Sequence, residues 1–161
     1  MIRHANETDL PRILTIYDGA RQYMRRCGNM CQWINGYPSP ALLRQDIADG
    51  CLYVLEDGGG LYGVFAFIVG DDPTYARIDG AWLDGTTPYG TIHRIASDGT
   101  HRGVLHQCVD WCALRIPHLR IDTHADNQVM QRCILREQFV RCGVIHVADG
   151  SPREAFERPA L

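Results

Sequence analysis

A glycine-containing turn between a predicted strand and a predicted helix is the first feature with chemical potential. Thr91 to Ser97 has the pattern of a strand, Asp98 to Gly103 forms a turn, and helical apolar spacing begins at Val104. Unpaired backbone N–H groups and the helix dipole point outward at the start of such a helix, which suits the binding of an anion such as phosphate. Turns of this kind also occur as plain structure, so the turn alone assigns no function.

Histidines and a carboxylate on two successive predicted strands indicate a second kind of chemistry. His93 lies on the strand before the turn, and Asp122 and His124 lie on the next strand. Two histidines and one carboxylate are a weak zinc pattern, and the cysteine pairs Cys27/Cys31 and Cys108/Cys112 lack the C-x2-C spacing of a zinc ribbon. We therefore expect no metal.

The seven cysteines are an odd number in a chain whose first residues lack an apolar export signal. This predicts reduced thiols and a cytoplasmic location. Cys108, Cys112 and Cys133 fall on apolar helix faces, where cysteine acts as a small hydrophobic side chain.

Composition predicts one soluble domain over residues 1–161, with 45% hydrophobic and 22% charged residues. The net charge of −3 and the absence of a basic run argue against a nucleic-acid partner. The longest apolar stretch, 61–69, is too short to cross a membrane. All 16 basic residues are arginine, which excludes mechanisms that need a lysine amine, such as a Schiff base or the P-loop lysine.

The elements that must position these residues follow from periodicity. Helices are predicted over 9–26, with Thr8 as N-cap, and from Pro40 to Gly50, with Ser39 as N-cap. Strands at 51–56 and 61–69 flank a glycine turn and form an antiparallel hairpin. The segment from Gly70 to Tyr89 has the composition of a long loop, either functional or containing a small hairpin.

The second half of the chain alternates between strands and helices. After the strand at 91–97 come a helix from Val104 to Pro117, a strand at 119–125, a helix capped by Asp126 or Asn127, a strand at 140–147 and a short strand at 154–158. No composition shift marks a domain boundary. The order predicts an α/β (α+β) fold with a mixed sheet.

Three segments of the chain carry a recognisable motif pattern. Ile92-His-Arg-Ile-Ala-Ser97, followed by Arg102-Gly103, resembles the strand and R-G-x-G-x-G/A loop of motif A in the GNAT superfamily of acyl-CoA-dependent N-acetyltransferases. The opening Ile2-Arg-His-Ala with Thr8 to Ile13 is similar to the family's first strand and helix, and Asn127 to Phe139 is similar to its N-x-x-A-x-x-L-Y-x-x-x-G-F segment. The resemblance covers nearly the whole chain.

The sequence departs from both motifs. The second and third small positions of the loop fall on Leu105 and Gln107, so only the first glycine is present. In the later segment Met130 replaces a small residue, Ile134 occupies the position where many members carry a tyrosine general acid, and Gln138 replaces glycine. The departures predict looser pyrophosphate binding and the absence of that tyrosine acid.

The resemblance implies a largely antiparallel mixed sheet with a splayed parallel central pair and helices on both faces. The pantetheine arm of acetyl-CoA, the co-substrate, would then lie between the two splayed strands. The cofactor-binding residues that the resemblance implies are Ile95, Ala96, Ser97, Arg102, Gly103, Val104 and Asn127. The Ile95 N–H would also polarise the thioester carbonyl in catalysis.

His93 is the candidate catalytic base, because the amine acceptor must lose a proton before it attacks the thioester. It lies two residues before Ile95, and histidine side chains titrate near neutrality. The alternative is a hydrogen-bonded histidine of the core.

The acceptor is expected to contact aromatic residues of two irregular segments, Asn29 to Pro38 and Gly70 to Tyr89. Trp33 and Tyr37 lie in the first segment and Trp82 in the second. They could equally fill the core beneath a loop or line a subunit interface. Asp71 and Asp72 could attract a cationic amine, or simply be solvated.

The function predicted from these residues is acetyl transfer from acetyl-CoA to a primary amine of a small molecule, in a monomer or homodimer. One alternative is an acyl-CoA-binding sensor or interaction module that has lost turnover, which the altered loop and absent tyrosine favour. Another is a nucleotide or phosphate binder without specificity for CoA.

Overall fold

The protein is described here from a computed structural model covering residues 1–160. Four helices and eight strands form in the order β1(Ile2–His4), α1(Leu10–Arg26), α2(Pro40–Ala48), β2(Leu52–Asp57), β3(Gly60–Val69), β4(Asp79–Gly80), β5(Gly90–Ser97), α3(Val104–Ala113), β6(Leu119–Thr123), α4(Gln128–Arg136), β7(Val140–His146) and β8(Pro152–Arg158). The strands make one sheet in the order β1-β2-β3-β5-β6-β8-β7-β4. Every neighbouring pair is antiparallel except β5 and β6, which confirms the predicted mixed sheet.

The helices cover both faces of the sheet. Apolar side chains of α1 and α2 pack on one face, with Ile13 and Leu43 fully buried against Val54 of β2. Those of α3 and α4 pack on the other face, where Val109 and Ile134 are fully buried. The apolar stripes predicted by the 3.6-residue period therefore supply the two main layers of the core.

The first helix begins differently from the prediction. Thr8 is not the cap of α1. Asn6 caps a preceding 3-10 turn: its side chain accepts a hydrogen bond from the Thr8 amide, and the Asp9 carboxylate accepts one from the Asn6 amide. A short 3-10 turn over Glu7–Asp9 then leads into α1. The predicted Ser39 cap of α2 is present and accepts from the Leu42 amide.

The parallel pair is joined only at its beginning. Gly90, Thr91 and Ile92 of β5 pair with Leu119, Arg120 and Ile121 of β6, and no pairing continues beyond them although both strands do. β5 also carries a bulge against β3, because Val64 pairs with Ala96 and Ala66 with His93. The strands therefore diverge at the point where the bulge begins.

The segment from Gly70 to Tyr89 contains no hairpin of its own. It forms a 3-10 turn at Pro73–Tyr75 and the short β4, which pairs with the distant β7. Glycines permit this contact, since a Cβ at Gly80 would lie 2.2 Å from the Cys142 carbonyl oxygen. Sequence periodicity could not find β4, because its partner lies some 60 residues away along the chain.

All seven cysteines are free. Cys108 and Cys112 are buried in α3, and burial raises the pKa of both thiols. Helix α3 ends at Ala113, one turn before the predicted Pro117. Among the described residues, no helix combines the length and apolar character that crossing a membrane would require.

Candidate active site

Two cavities meet at the bulge of β5. The helix-terminus cavity, of about 590 Å³, lies between the C-terminal half of α1, the end of β5, the start of α3 and α4. The loop cavity, of about 420 Å³, lies between the 31–37 segment, residues 72–74, β5, β6 and the turn after β7. Ile95, Met24, Asn127 and Met130 line both cavities. Ile95, on the part of β5 that diverges from β6, therefore lies at the boundary between the two cavities.

The helix-terminus cavity contains an uncapped helix N-terminus. Gly103 precedes α3 with a φ of 68°, and no side chain caps the helix. The first helical hydrogen bond runs from the Gln107 amide to the Gly103 carbonyl, so the amides of Val104, Leu105 and His106 have no helical partner. Ser39 and Asn127 cap α2 and α4 through their side chains. The start of α3 is thus equipped for an anion.

Most residues predicted to bind the cofactor surround this cavity. Its lining includes Ile95, Ala96, Ser97, Gly103, Val104 and Asn127. Arg102 is exposed and outside the lining. The Asn127 side chain is already engaged, since its oxygen accepts from the Met130 amide and its nitrogen donates to Gln32.

The residues that depart from the motif pattern pack against, or hydrogen-bond to, other parts of the fold. Leu105 is buried in the core, and Gln107 accepts a hydrogen bond from the Tyr62 hydroxyl at 2.9 Å. Ile134 is fully buried and lines neither cavity. Leu105 also lines the helix-terminus cavity, and the amides of the first turn of α3 have no helical partner.

The loop cavity has an aromatic wall. Trp33 and Tyr37 line it, and Trp33 also packs edge-on against the buried Tyr17 ring at 5.5 Å. Trp82 lines neither cavity. Its ring packs against Tyr75 and beneath the Arg120 guanidinium, which makes it part of the packing behind the cavity.

His93 lies in the loop cavity between two carboxylates. Its Nε2 is 2.7 Å from Oδ2 of Asp72, and its Nδ1 is 3.9 Å from Oδ1 of Asp122. Burial opposes ionisation of Asp72, but hydrogen bonds from His93 and Thr74 outweigh it and lower the pKa to about 2. An ionised Asp72 can only accept, so Nε2 carries a hydrogen; in the neutral imidazole the Nδ1 lone pair then faces Asp122.

Asp122 is held by a tyrosine that sequence reasoning did not identify. The Tyr75 hydroxyl donates to Oδ1 of Asp122 at 2.7 Å. Tyr75 is buried, and burial together with Asp122 raises its pKa well above the usual value, so the hydroxyl remains a neutral donor. No local pattern relates two residues that are 47 positions apart.

Arg94 fixes the bulge and was also missed. It adopts a φ of 52°, and its carbonyl accepts from the buried Tyr17 hydroxyl at 2.7 Å. Its guanidinium donates to Asp46 of α2 at 3.0 Å and to the Tyr37 hydroxyl at 3.4 Å. Helices α1 and α2 thereby hold the conformation that presents Ile95 at the junction of the cavities.

The suggested metal site of His93, Asp122 and His124 does not form among residues 1–160. The one cluster of three potential ligands in that range is Cys31, His124 and Asp126, whose ligand atoms lie within 4.8 Å of one another. Two of these residues are exposed, and Nδ1 of His124 already accepts a hydrogen bond from the Asp126 amide. A local turn accounts for this cluster.

Comparison with solved structures finds acetyltransferases. A GNAT-family acetyltransferase from Streptococcus agalactiae matches with a TM-score of 0.87 and 30% identity over 100% of this chain and 95% of that chain. One from Listeria monocytogenes has a TM-score of 0.72 and 17% identity over 99% and 94%. The ribosomal-protein-S18-alanine N-acetyltransferase from Escherichia coli has a TM-score of 0.64 and 16% identity over 99% and 93%. No protein-family profile and no curated protein matches the chain.

Proposed function

The chain belongs to the GNAT family and is an acetyltransferase; we propose that it moves an acetyl group from acetyl-CoA to the primary amine of a small molecule, as one catalytic domain. The observation that carries this proposal is the junction at Ile95. An uncapped helix N-terminus lies in the cavity on one side, and a histidine paired with a carboxylate lies in the cavity on the other.

Acetyl-CoA is assigned to the helix-terminus cavity. Its pyrophosphate would accept hydrogen bonds from the amides of Arg102, Gly103 and Val104, where the helix dipole favours negative charge; of these, Val104 is one of the three α3 amides without a helical partner. The pantetheine arm would follow β5 past Ser97 toward Ile95, in the space left by the divergence from β6. Since the Asn127 amide already bonds Met130 and Gln32, we expect Asn127 to contact the arm by packing.

The thioester would then lie at the bulge. The Ile95 N–H is the candidate donor to the carbonyl oxygen, on which negative charge grows as the amine attacks. The Arg94 contacts with Tyr17 and Asp46 hold this backbone in place before substrate binds. Such preorganisation avoids a reorganisation cost in the transition state.

His93 is assigned as the base. The ammonium transfers a proton to Nδ1, and the Nε2–H bond to ionised Asp72 stabilises the resulting imidazolium. The neutral amine attacks the carbonyl carbon and the C–N bond forms. The attacking nitrogen then releases its second proton to water, and the C–S bond breaks to leave the amide. CoA leaves as a thiolate and takes a proton from water, which is tolerable because a thiol of pKa about 8.5 is a good leaving group. Ile134 offers no acid.

The altered loop and the buried Ile134 favour one alternative, an acyl-CoA-binding module without turnover. A protein N-terminus is the alternative acceptor, because some similar structures are ribosomal-protein-alanine N-acetyltransferases. The loop cavity, at about 420 Å³, matches a small molecule better than an extended peptide.

Two measurements test the proposal. Acetyl-CoA should raise the melting temperature in a dose-dependent way, because it binds only the folded state. A panel of small amines and N-terminal peptides, assayed for free CoA thiol, should then identify the acceptor class. No thermal shift at millimolar acetyl-CoA would contradict the cofactor assignment, and a shift without thiol release from any acceptor would favour the binding module.

A further inference from the structure

Asp122 differs from other largely buried carboxylates of this protein in its partners. Asp9 and Asp46 each have an arginine nitrogen within 3.0 Å, and Asp72 and Glu157 each have a histidine nitrogen at 2.7 Å. The Asp122 side chain is 12% exposed, yet its nearest basic nitrogen is Nδ1 of His93 at 3.9 Å. A carboxylate removed from water without a cation is costly, so this position favours a cationic ligand.

The groups around Asp122 determine the side from which a cationic ligand can approach its carboxylate. The Tyr75 hydroxyl occupies one lone pair of Oδ1 from the buried side, and the Ala155 backbone pairs with Asp122 across the sheet. Tyr75 is itself held, since its carbonyl accepts from the Trp82 indole at 3.0 Å. The remaining accessible side of the Asp122 carboxylate faces the loop cavity, which it lines with His93.

The space between Asp122 and His93 could hold one nitrogen atom that is hydrogen-bonded to both residues. The distance of 3.9 Å between Oδ1 and Nδ1 is too long for a direct hydrogen bond. A nitrogen at about 2.8 Å from both atoms would subtend an angle of roughly 90°, which is close to what two N–H bonds of an ammonium can serve. Both atoms are acceptors, since Nδ1 carries a lone pair when Nε2 donates to Asp72.

We infer that Asp122, positioned by Tyr75, and Nδ1 of His93 form the subsite that binds the acceptor as a cation with at least two N–H bonds. This inference rests on the proposed function and narrows its substrate class. The subsite takes an unhindered primary ammonium with an apolar body, because Trp33, Ile34 and Tyr37 line the same cavity. A tertiary ammonium, with one N–H, and a neutral alcohol cannot satisfy both acceptors.

Binding of matched probes tests the subsite apart from catalysis. Phenethylamine, N,N-dimethylphenethylamine and 2-phenylethanol share one apolar body and differ in charge and in N–H count. Their dissociation constants are measured by calorimetry at pH 7, with and without CoA. In the wild type the primary amine should bind at least about tenfold more tightly than either of the other two, the effect of a charge-assisted hydrogen bond in a partly buried site.

The variant Asp122→Asn keeps the shape of the side chain and removes its charge. We expect the amine-to-alcohol preference to fall to about one in Asp122→Asn. The matched control is Asp71→Asn, because Asp71 is exposed and lines neither cavity, and the preference should be unchanged there. Tyr75→Phe, which removes only the hydroxyl, should reduce the preference by about threefold.

The outcomes separate the two proposals. A wild type with no preference for the primary amine, or a preference that survives Asp122→Asn, overturns the ammonium subsite. Failure of acetyl-CoA to shift the melting temperature contradicts the proposed function, while the probe preference without CoA still decides the subsite. Retention of the acetyl-CoA shift in Asp122→Asn confirms that the variant is folded.

Discussion

The two cavities on either side of Ile95 are built from different parts of the chain. The helix-terminus cavity depends on backbone: a glycine at positive φ, three helix amides without helical partners and a strand that leaves its neighbour. The loop cavity depends on side chains from segments far apart in sequence, with Asp72, His93 and Asp122 contributed by three different elements.

The difference suggests how one fold can keep a donor and change its acceptor. Backbone amides at a helix start can bind an anion beside many different side chains. Leu105 and Gln107 can therefore occupy the usual small-residue positions without removing those amides. The loop cavity is more sensitive to substitution, because its polar groups belong to individual side chains. Substitutions should therefore affect the two cavities independently.

The largest effect is expected from Gly103→Glu. The substitution places a side chain and a negative charge at the start of α3, where the proposed pyrophosphate accepts its hydrogen bonds, and should weaken acetyl-CoA binding by about 100-fold or more. Gly50→Glu is the matched control, since Gly50 has a similar φ of 69° and lines neither cavity. Calorimetry measures the acetyl-CoA dissociation constant of both variants. Equal losses of affinity would show that the start of α3 has no special role in binding.

Acid stability should reveal the Asp72–His93 pair. The folded-state pKa of Asp72 is lowered from 3.8 to about 2, so its contribution to stability is present above pH 4 and is lost as pH falls toward 2. The free energy of unfolding of the wild type relative to Asp72→Asn should therefore fall by about 2 kcal/mol between pH 5 and pH 2. Urea titrations at several pH values measure this, with Asp71→Asn as the variant that should lack the decline.

Loss of the base should lower turnover while sparing the donor site. His93→Ala is expected to reduce kcat by about tenfold or more and to change the pH dependence of kcat, because the positioned base is removed. Acetyl-CoA affinity should stay within about twofold, as His93 lines only the loop cavity. A wild-type pH profile in His93→Ala would assign proton removal to water or another residue; the exposed His146→Ala serves as control.

The smallest effect is expected at the aromatic wall. Tyr37→Ala should raise KM for the amine by about threefold through lost apolar contact, with acetyl-CoA affinity unchanged. Met30→Ala, in the irregular segment Asn29 to Pro38 but outside both cavities, should leave KM unchanged. Steady-state kinetics on the best amine of the panel measures both variants. A change in acetyl-CoA affinity instead would mean that the two cavities are coupled through Arg94.

The elements themselves were largely predictable because they follow local rules. The Ser39 cap with Pro40, the glycine turn between β2 and β3, and the apolar period of α3 each depend on residues within a few positions of one another. The errors were at element ends and in long-range pairing. Thr8 does not cap the first helix, because a 3-10 turn capped by Asn6 precedes it, and β4 forms only because Asp79 pairs with Val144.

The sequence by itself determined the mixed sheet, the helix faces, the glycine before α3 and the family resemblance, because each depends on residues that are close together along the chain. Only the tertiary structure decided that β5 and β6 separate after Ile92, that Asp72 and Asp122 flank His93, and that Trp82 lies behind the cavity. The physical reason is separation along the chain. Side chains that are 47 positions apart, such as Tyr75 and Asp122, or 95 apart, such as Gln32 and Asn127, come into contact through packing that no local propensity encodes.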